Sequence, residues 1–98
     1  MSFSQSSHSI SINNGTLHAT CKNIQGQDCN SSLNLNNHIS NNEGHLTWGG
    51  NGFINSSQNV QVNGNTLHAR CQTSQGNWLD SSLNLDAHVG NNNGNLQC

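Results

Sequence analysis

The sequence predicts a mostly β fold made by tandem duplication, and three observations predict it. Sliding the chain by 50 positions aligns Phe3 with Phe53, Leu17 with Leu67, Gly26 with Gly76, Leu33 with Leu83 and Gly44 with Gly94 without a gap. About 20 of the 48 aligned pairs are identical. Within each copy, apolar residues alternate with Ser, Thr, Asn or His at a period of two, the signature of half-buried strands. Asn- and Gly-rich turn signals separate those runs. Two copies are too few for a solenoid, which stacks three or more repeats to bury its faces. The expectation is therefore one closed pseudo-twofold domain over residues 1–98, with sequence repeats 1–50 and 51–98.

In chain order, "SQSS" suits a short helical turn, Ile10 and Ile12 mark a first strand, and "NNG" at Asn13 to Gly15 turns the chain. Leu17, Ala19 and Cys21 mark a second strand, "QG" at Gln25 and Gly26 a second turn, and Leu33 and Leu35 a third strand. "NNHIS" suits another helical turn, and "NNEG" at Asn41 to Gly44 predicts a hairpin. The second copy repeats the order, with "NGN", "QG" and "NNNG" as its turns. Between the copies, "WGGNGF" from Trp48 to Phe53 supplies the glycines of a hinge, and its flanking aromatics are expected to pack inward.

Composition narrows the partners. Only 30% of residues are hydrophobic and 6% are charged, so the core is thin, yet its ordered patterning argues for a folded chain. With Lys22 and Arg70 as the strong cations and a net charge of −2, there is little to drive binding to nucleic acid or an anionic membrane. No apolar run approaches a membrane span, and "MSFSQSSHS" lacks the regions of a signal peptide, so the expected location is the cytoplasm. Acceptor sequences for N-glycans at Asn14, Asn30 and Asn55 fit that location, where they are ordinary polar residues.

Four cysteines allow three pairings, and free thiols are the default in a reducing compartment. Cys21 and Cys71 end the equivalent runs "TLHATC" and "TLHARC" and are expected as small buried hydrophobes. No Cys/His spacing of the zinc type is present, and no cofactor is expected. His18 and His68 are expected to face solvent, and no histidine is expected beside a base or a metal ligand. Asp28, Glu43, Asp80 and Asp86 do not form the facing carboxylate pair of a glycosidase, and no G-x-S-x-G turn appears, so the chain is not expected to be an enzyme.

The stretches "LNLNNHISNNEGHLTW" and "LNLDAHVGNNNGNL", with "FSQSS" and "NGFINSS" opening each copy, resemble the cyanovirin-N family of lectins. The resemblance implies two lobes, each a three-stranded antiparallel sheet plus a β-hairpin exchanged between repeats, and shallow sites for mannose-rich glycans, chiefly terminal α1,2-linked mannose. Where members similar to the founding protein carry a disulfide in each lobe, this chain has Ser7 opposite Cys21 and Ser57 opposite Cys71, which fits the disulfide-poor intracellular type. Cys29 and Cys98 are expected in one lobe, where a bridge between them is conceivable.

Carried over by position, the favoured lobe would use Ser40, Asn41 and Glu43, then Asn51, Gly52, Asn55 and Ser56, and finally Gln72, Thr73 and Ser74. The other would use Ser2, Gln5, Ser6, Lys22, Asn23, Ile24, Asn91 and Asn93. These residue types suit a neutral sugar, whose hydroxyls both donate and accept. The first lobe is favoured because it keeps an acid at Glu43, where the other has Asn93, and because Ile24 replaces a polar residue. For each Asn alone, a turn role is the simpler reading. Trp48 is expected in the lobe junction, and the role of Trp78 stays open. The expected partners are high-mannose oligosaccharides or glycoproteins, met by a monomer with a minor domain-swapped dimer. The alternatives are a calcium-binding crystallin-like β-repeat protein, on "QDCNSS" and "NWLDSS", or a structural or stress protein with no ligand.

Overall fold

A computed structural model describes residues 2–98. Alternation of apolar and polar residues forms β1 (Ser7–Asn13), β2 (Thr16–Lys22) and β3 (Asp28–Asn34), an antiparallel sheet in the order β1-β2-β3. A short hairpin follows, β4 (Ile39–Asn42) with β5 (His45–Trp48). The second copy repeats both as β6 (Ser57–Asn63), β7 (Thr66–Gln72), β8 (Trp78–Asn84), then β9 (Gly90–Asn92) with β10 (Asn95–Gln97). One-turn 3-10 helices at Phe3–Ser6, Leu35–Asn37, Phe53–Ser56 and Leu85–Ala87 join these parts.

Turn chemistry sets the register. Asn14 and Gly15 both have positive φ, 55° and 84°, the two-residue hairpin turn whose twist matches its strands. Glu43 with Gly44 and Asn93 with Gly94 do the same at the hairpin tips. Bulges after His8 and Gln58 are centred on Ser9 and Asn59, each at φ 54°.

The hairpins are exchanged. The Leu46 N–H donates to Ser81 Oγ of β8 at 3.0 Å, and the Leu96 N–H donates to Ser31 Oγ of β3 at 3.0 Å, so each hairpin docks on the sheet of the other copy. Leu46 and Leu96 are buried there beside the inner faces of β2 and β7. The opening turns interlock the same way. Asn36 Oδ1 accepts the Ile54 N–H at 3.0 Å, and Asp86 Oδ1 accepts the Ser4 N–H at 3.0 Å. Phe3 and Phe53 are fully buried by this arrangement, each burial being worth about 1.5–3 kcal/mol.

Two lobes lie end to end rather than rounding into a globule, giving extents of 50 × 21 × 17 Å. At the junction, the Gly49 N–H donates to the His38 carbonyl at 2.7 Å and the Gly52 N–H to the Asn36 carbonyl at 2.8 Å. Trp48 is half-buried and sandwiched between His38 and His88, with ring centroids 5.6 and 4.6 Å away and planes nearly parallel. The histidines are thus less isolated than their sequence neighbours imply. His8 Nε2 lies 3.6 Å from Asp28, and His38 lies 3.5 Å from Cys98 Sγ.

All four cysteines are free. Cys21 and Cys71 are fully buried as expected; the Ser7 hydroxyl donates to the Cys21 sulfur at 3.2 Å, while the Ser57 hydroxyl donates to the Phe53 carbonyl at 2.6 Å and lies 3.6 Å from the Cys71 sulfur. The conceivable Cys29 to Cys98 bridge is not made. Cys29 packs under the β9-β10 tip at Gly94, whereas Cys98 lies against His38 at the junction.

Candidate functional site

In each lobe, the loop between the second and third strands meets the tip of the exchanged hairpin and the opening 3-10 turn of one copy. One asparagine binds all three together. Asn41 Nδ2 donates to Ser56 Oγ and to the Gln72 carbonyl, both at 2.8 Å, while its Oδ1 accepts the Gly44 N–H at 2.8 Å. Asn91 does the same with Ser6 Oγ, the Lys22 carbonyl and the Gly94 N–H, all at 2.8 Å. Each asparagine opens a four-residue Asn-rich turn, caps the N–H of its fourth residue and also reaches across the lobe. Their polar atoms are occupied, so they frame the site.

At the tip, Glu43 adopts φ 52°, a conformation that Asn or Gly tolerates better than Glu. Its carboxylate holds that place by accepting the Ser74 N–H at 2.9 Å and the Ser74 hydroxyl at 3.0 Å. Those two bonds, the hydroxyl first, pull the Glu43 carboxyl below the ordinary glutamate range. Thr73 Oγ1 accepts the Gln75 and Asn77 N–H groups at 3.3 and 3.1 Å and shapes the loop from within. Gln72, Ser74, Glu43 and Asn55 remain at least partly open to solvent around this frame. Leu79 packs beneath Gly44 and supports the tip.

The remaining favoured-lobe residues lie toward the hinge. Ser40 packs under Gly50, Asn51 is exposed, and Gly52 at φ 80° starts the turn that carries Asn55 and Ser56. The structure thus gathers Asn41, Glu43, Ser56, Gln72, Thr73 and Ser74 in one place, while Ser40 serves the hinge.

In the other lobe, Asn93 Oδ1 accepts the Ile24 N–H at 3.0 Å. Asn23 Oδ1 accepts the Gln25 and Gln27 N–H groups at 3.0 and 2.9 Å, matching Thr73. Lys22 Nζ is drawn to Asp28 at 2.6 Å, an interaction that lowers the Asp28 carboxyl pKa. Ile24 stands 87% exposed at the loop tip, and Ser2, Gln5 and Ser6 line the adjoining turn, all exposed. Asp28 and Asp80 are both ion-paired, to Lys22 and, at 3.2 Å, to Arg70, and each is the single carboxylate of its stretch, "QDCNSS" or "NWLDSS", fewer hard charged ligands than calcium usually takes.

Two features escape sequence reasoning. Trp78 is paired with Gln72 at the exit of the 73–77 loop and is 37% exposed, although its counterpart in the other copy is Asp28. Asp86 accepts hydrogen bonds from Ser4 and, at 2.9 Å, from Asn65; burial pushes its carboxyl up, but these bonds outweigh it and hold the pKa below the usual value. A concavity of about 660 Å³ lies away from the hairpin tips, over the face of β6–β8 that carries Gln61, His68, Arg70 and Asp80. It is the open hollow of a twisted sheet. A site for a polar ligand does not need such volume, because converging donors and acceptors can bind on a shallow surface.

A model of the CVNH domain matches residues 3–97. The chain belongs to the CVNH family. Among solved CVNH structures, a designed cyanovirin-N homolog lectin is 33% identical, superposes with a TM-score of 0.91, and is covered over 98% of its length by 99% of this chain. The T. borchii CVNH protein is also 33% identical, with a TM-score of 0.89 and the same coverage. Microvirin, solved in complex with mannobiose, is 29% identical with a TM-score of 0.84 over 98% of this chain and 96% of its own. No curated protein sequence matches significantly. The CVNH fold is a lectin fold, and the duplicated sheets and exchanged hairpins above are its architecture.

Proposed function

We propose that the chain is a lectin for mannose-rich glycans that binds terminal α1,2-linked mannose without a metal, with the Glu43 lobe as the stronger site. One observation carries this reading: both lobes build the same frame, an asparagine with three framework bonds that fixes a hairpin tip against a polar loop. A frame held this rigidly loses little freedom when a sugar is ordered on it, which is how a shallow polar surface gains affinity. In the Glu43 lobe, the carboxylate is fixed by Ser74 yet stays exposed, leaving lone pairs for charge-assisted bonds from a sugar hydroxyl. The mannobiose complex of microvirin supports a disaccharide of this class.

Binding per site is weak because little apolar area is buried, and two sites on one chain would raise the avidity for branched oligomannosides or glycoproteins through effective concentration. An NMR titration with α1,2-mannobiose tests the reading. The expected result is saturable shifts of the Gln72 to Asn77 amides, and no shifts at either loop would refute it.

A further inference from the structure

We propose that Cys21 and Cys29 form a reversible oxidation site, in which a peroxide closes a disulfide between them across β2 and β3. They are direct partners in the antiparallel ladder. Cys21 shares the buried face of β2 with Leu17 and Ala19, and Cys29 shares the half-buried face of β3 with Ser31 and Leu33, so both side chains stand on the same side of the sheet. Antiparallel partners have Cα atoms about 4.5–5.5 Å apart, inside the disulfide range of about 4.4–6.8 Å. The Asn23 N–H to Gln27 carbonyl bond makes Cys21 and Cys29 a hydrogen-bonded pair, the wider kind, so their Cβ atoms must close by roughly 1–2 Å. The pair sits next to the end of the ladder, one step from the 23–27 loop, where strands can draw together. A bond made under that strain is readily reduced again, as a regulatory disulfide must be.

The two thiols have suitable surroundings. Cys29 is only half-buried, and its Sγ makes weak contacts with Asn23 Nδ2 at 3.7 Å and the Gln27 carbonyl at 3.9 Å. Cys21 has no exposure and touches Ser7 Oγ. Hydrogen peroxide therefore reaches Cys29 first: an S–O bond forms, the O–O bond breaks, and water leaves a sulfenic acid. The Cys21 sulfur then attacks the Cys29 sulfur, the S–O bond breaks, and a second water departs with the Cys21 proton. In sum, two thiols and one peroxide give one disulfide and two waters.

The other copy is a built-in control, since Cys71 faces Leu79. Leu79 supports the Gly44 tip, and Cys29 supports the Gly94 tip in the same way, its Sγ lying 2.8 Å from where a Gly94 Cβ would stand. Turning that sulfur toward Cys21 removes the support from under Asn93 and closes a ring around Lys22 to Asp28. Oxidation would then weaken sugar binding in the Asn93 lobe alone, a consequence that rests on the lectin reading.

The test uses the full chain with Cys98→Ser, which removes the exposed thiol. The protein is treated with stoichiometric hydrogen peroxide, denatured, labelled with N-ethylmaleimide and weighed. The expected product has lost two hydrogens, carries label on Cys71 only, yields a Cys21–Cys29 crosslinked peptide, and returns to three labelled thiols with dithiothreitol. Adding Cys29→Ser must abolish the crosslink, and adding Cys71→Ser must leave it. Persistence of three thiols, a sulfinic acid on Cys29, or a bond between two chains would overturn the proposal. Mannobiose titration of both forms separates the two readings. A severalfold loss at the 22–27 loop on oxidation supports regulation, unchanged affinity there with the crosslink present refutes it, and no binding by the reduced form refutes the lectin reading while leaving the disulfide standing.

Discussion

The two lobes share a frame and differ in what fills it. Asn41 and Asn91 make the same three bonds, but the tip above Asn41 carries a carboxylate clamped twice to Ser74, while the tip above Asn91 carries an amide held once by Ile24. Beneath the tips, the broad Leu79 side chain stands opposite the small Cys29 thiol. The comparison teaches that duplication preserved the frame under each hairpin tip and let the groups carried on the tip diverge. Frame and tip separate residue by residue within a single four-residue turn.

Adding a methyl group at the tip glycines should break the comparison most strongly. Gly44 and Gly94 both sit at φ 90°, so alanine is strained at either by about 1–2 kcal/mol. The new Cβ of Gly44→Ala meets the Cδ1 end of Leu79 at 2.6 Å, which can rotate away. That of Gly94→Ala meets Cys29 Sγ at 2.8 Å and its Cβ at 2.9 Å, and a Cβ cannot move without its backbone. Denaturant unfolding should show a loss of about 3–4 kcal/mol for Gly94→Ala and about 1–3 kcal/mol for Gly44→Ala. Equal losses would mean that the Cys29 support is as pliant as Leu79.

Removing the frame comes next. Asn41→Ala leaves the half-buried Gln72 carbonyl and the buried Gly44 N–H without their partner, at a cost of about 2–3 kcal/mol. Asn91→Ala should cost about 1–2 kcal/mol, because two of its three bonds are exposed. Equilibrium unfolding of the two variants tests the ranking.

Much of the fold was legible in the sequence because period and turn chemistry are local. The pairs Asn14-Gly15, Glu43-Gly44 and Asn93-Gly94 announce the turns that the structure contains. Hairpin exchange was not legible from periodicity, since Leu46 and Leu96 alternate identically whichever sheet receives them; the Ser81 and Ser31 hydroxyls, far off in sequence, decide it. The candidate site was legible only in so far as the named residues lie near one another. Asn41 and Glu43 stand two residues apart in one turn, and only the three-dimensional path of the 73–77 loop makes the first a strut and leaves the second clamped to Ser74 and exposed. Trp78 was missed as a neighbour of that loop because nothing in the matching position, Asp28, points to it.

The hinge lies between the lobes and sharpens the comparison in another way. A Cβ on Gly50 would meet the Ser40 Cβ and Oγ at 2.5 Å, so Gly50→Ala should open the closed junction at a cost of about 1–3 kcal/mol. The native chain is expected to run as a monomer in size-exclusion chromatography with light scattering. Gly50→Ala should shift it toward a dimer that keeps the exchanged contacts between chains. A stable native dimer would contradict the hinge reading.

The smallest effect is electrostatic. The Glu43 pKa is lowered by Ser74, so the contact is present at neutral pH and lost as pH falls through that depressed value, below the ordinary glutamate range. The Ser74 amide shift should titrate there and be flat in Glu43→Gln, while Ile24, bonded to Asn93, shows no matching step.

The most direct measurement is the NMR titration of the reduced native chain with α1,2-mannobiose, read separately at Gln72 to Asn77 and at Lys22 to Gln27. Tighter saturation at the first loop, with the difference between loops reduced in Glu43→Gln, is the predicted result. Tighter binding at the second loop, or an unchanged difference in Glu43→Gln, would contradict the claim that the clamped carboxylate makes its lobe the stronger site.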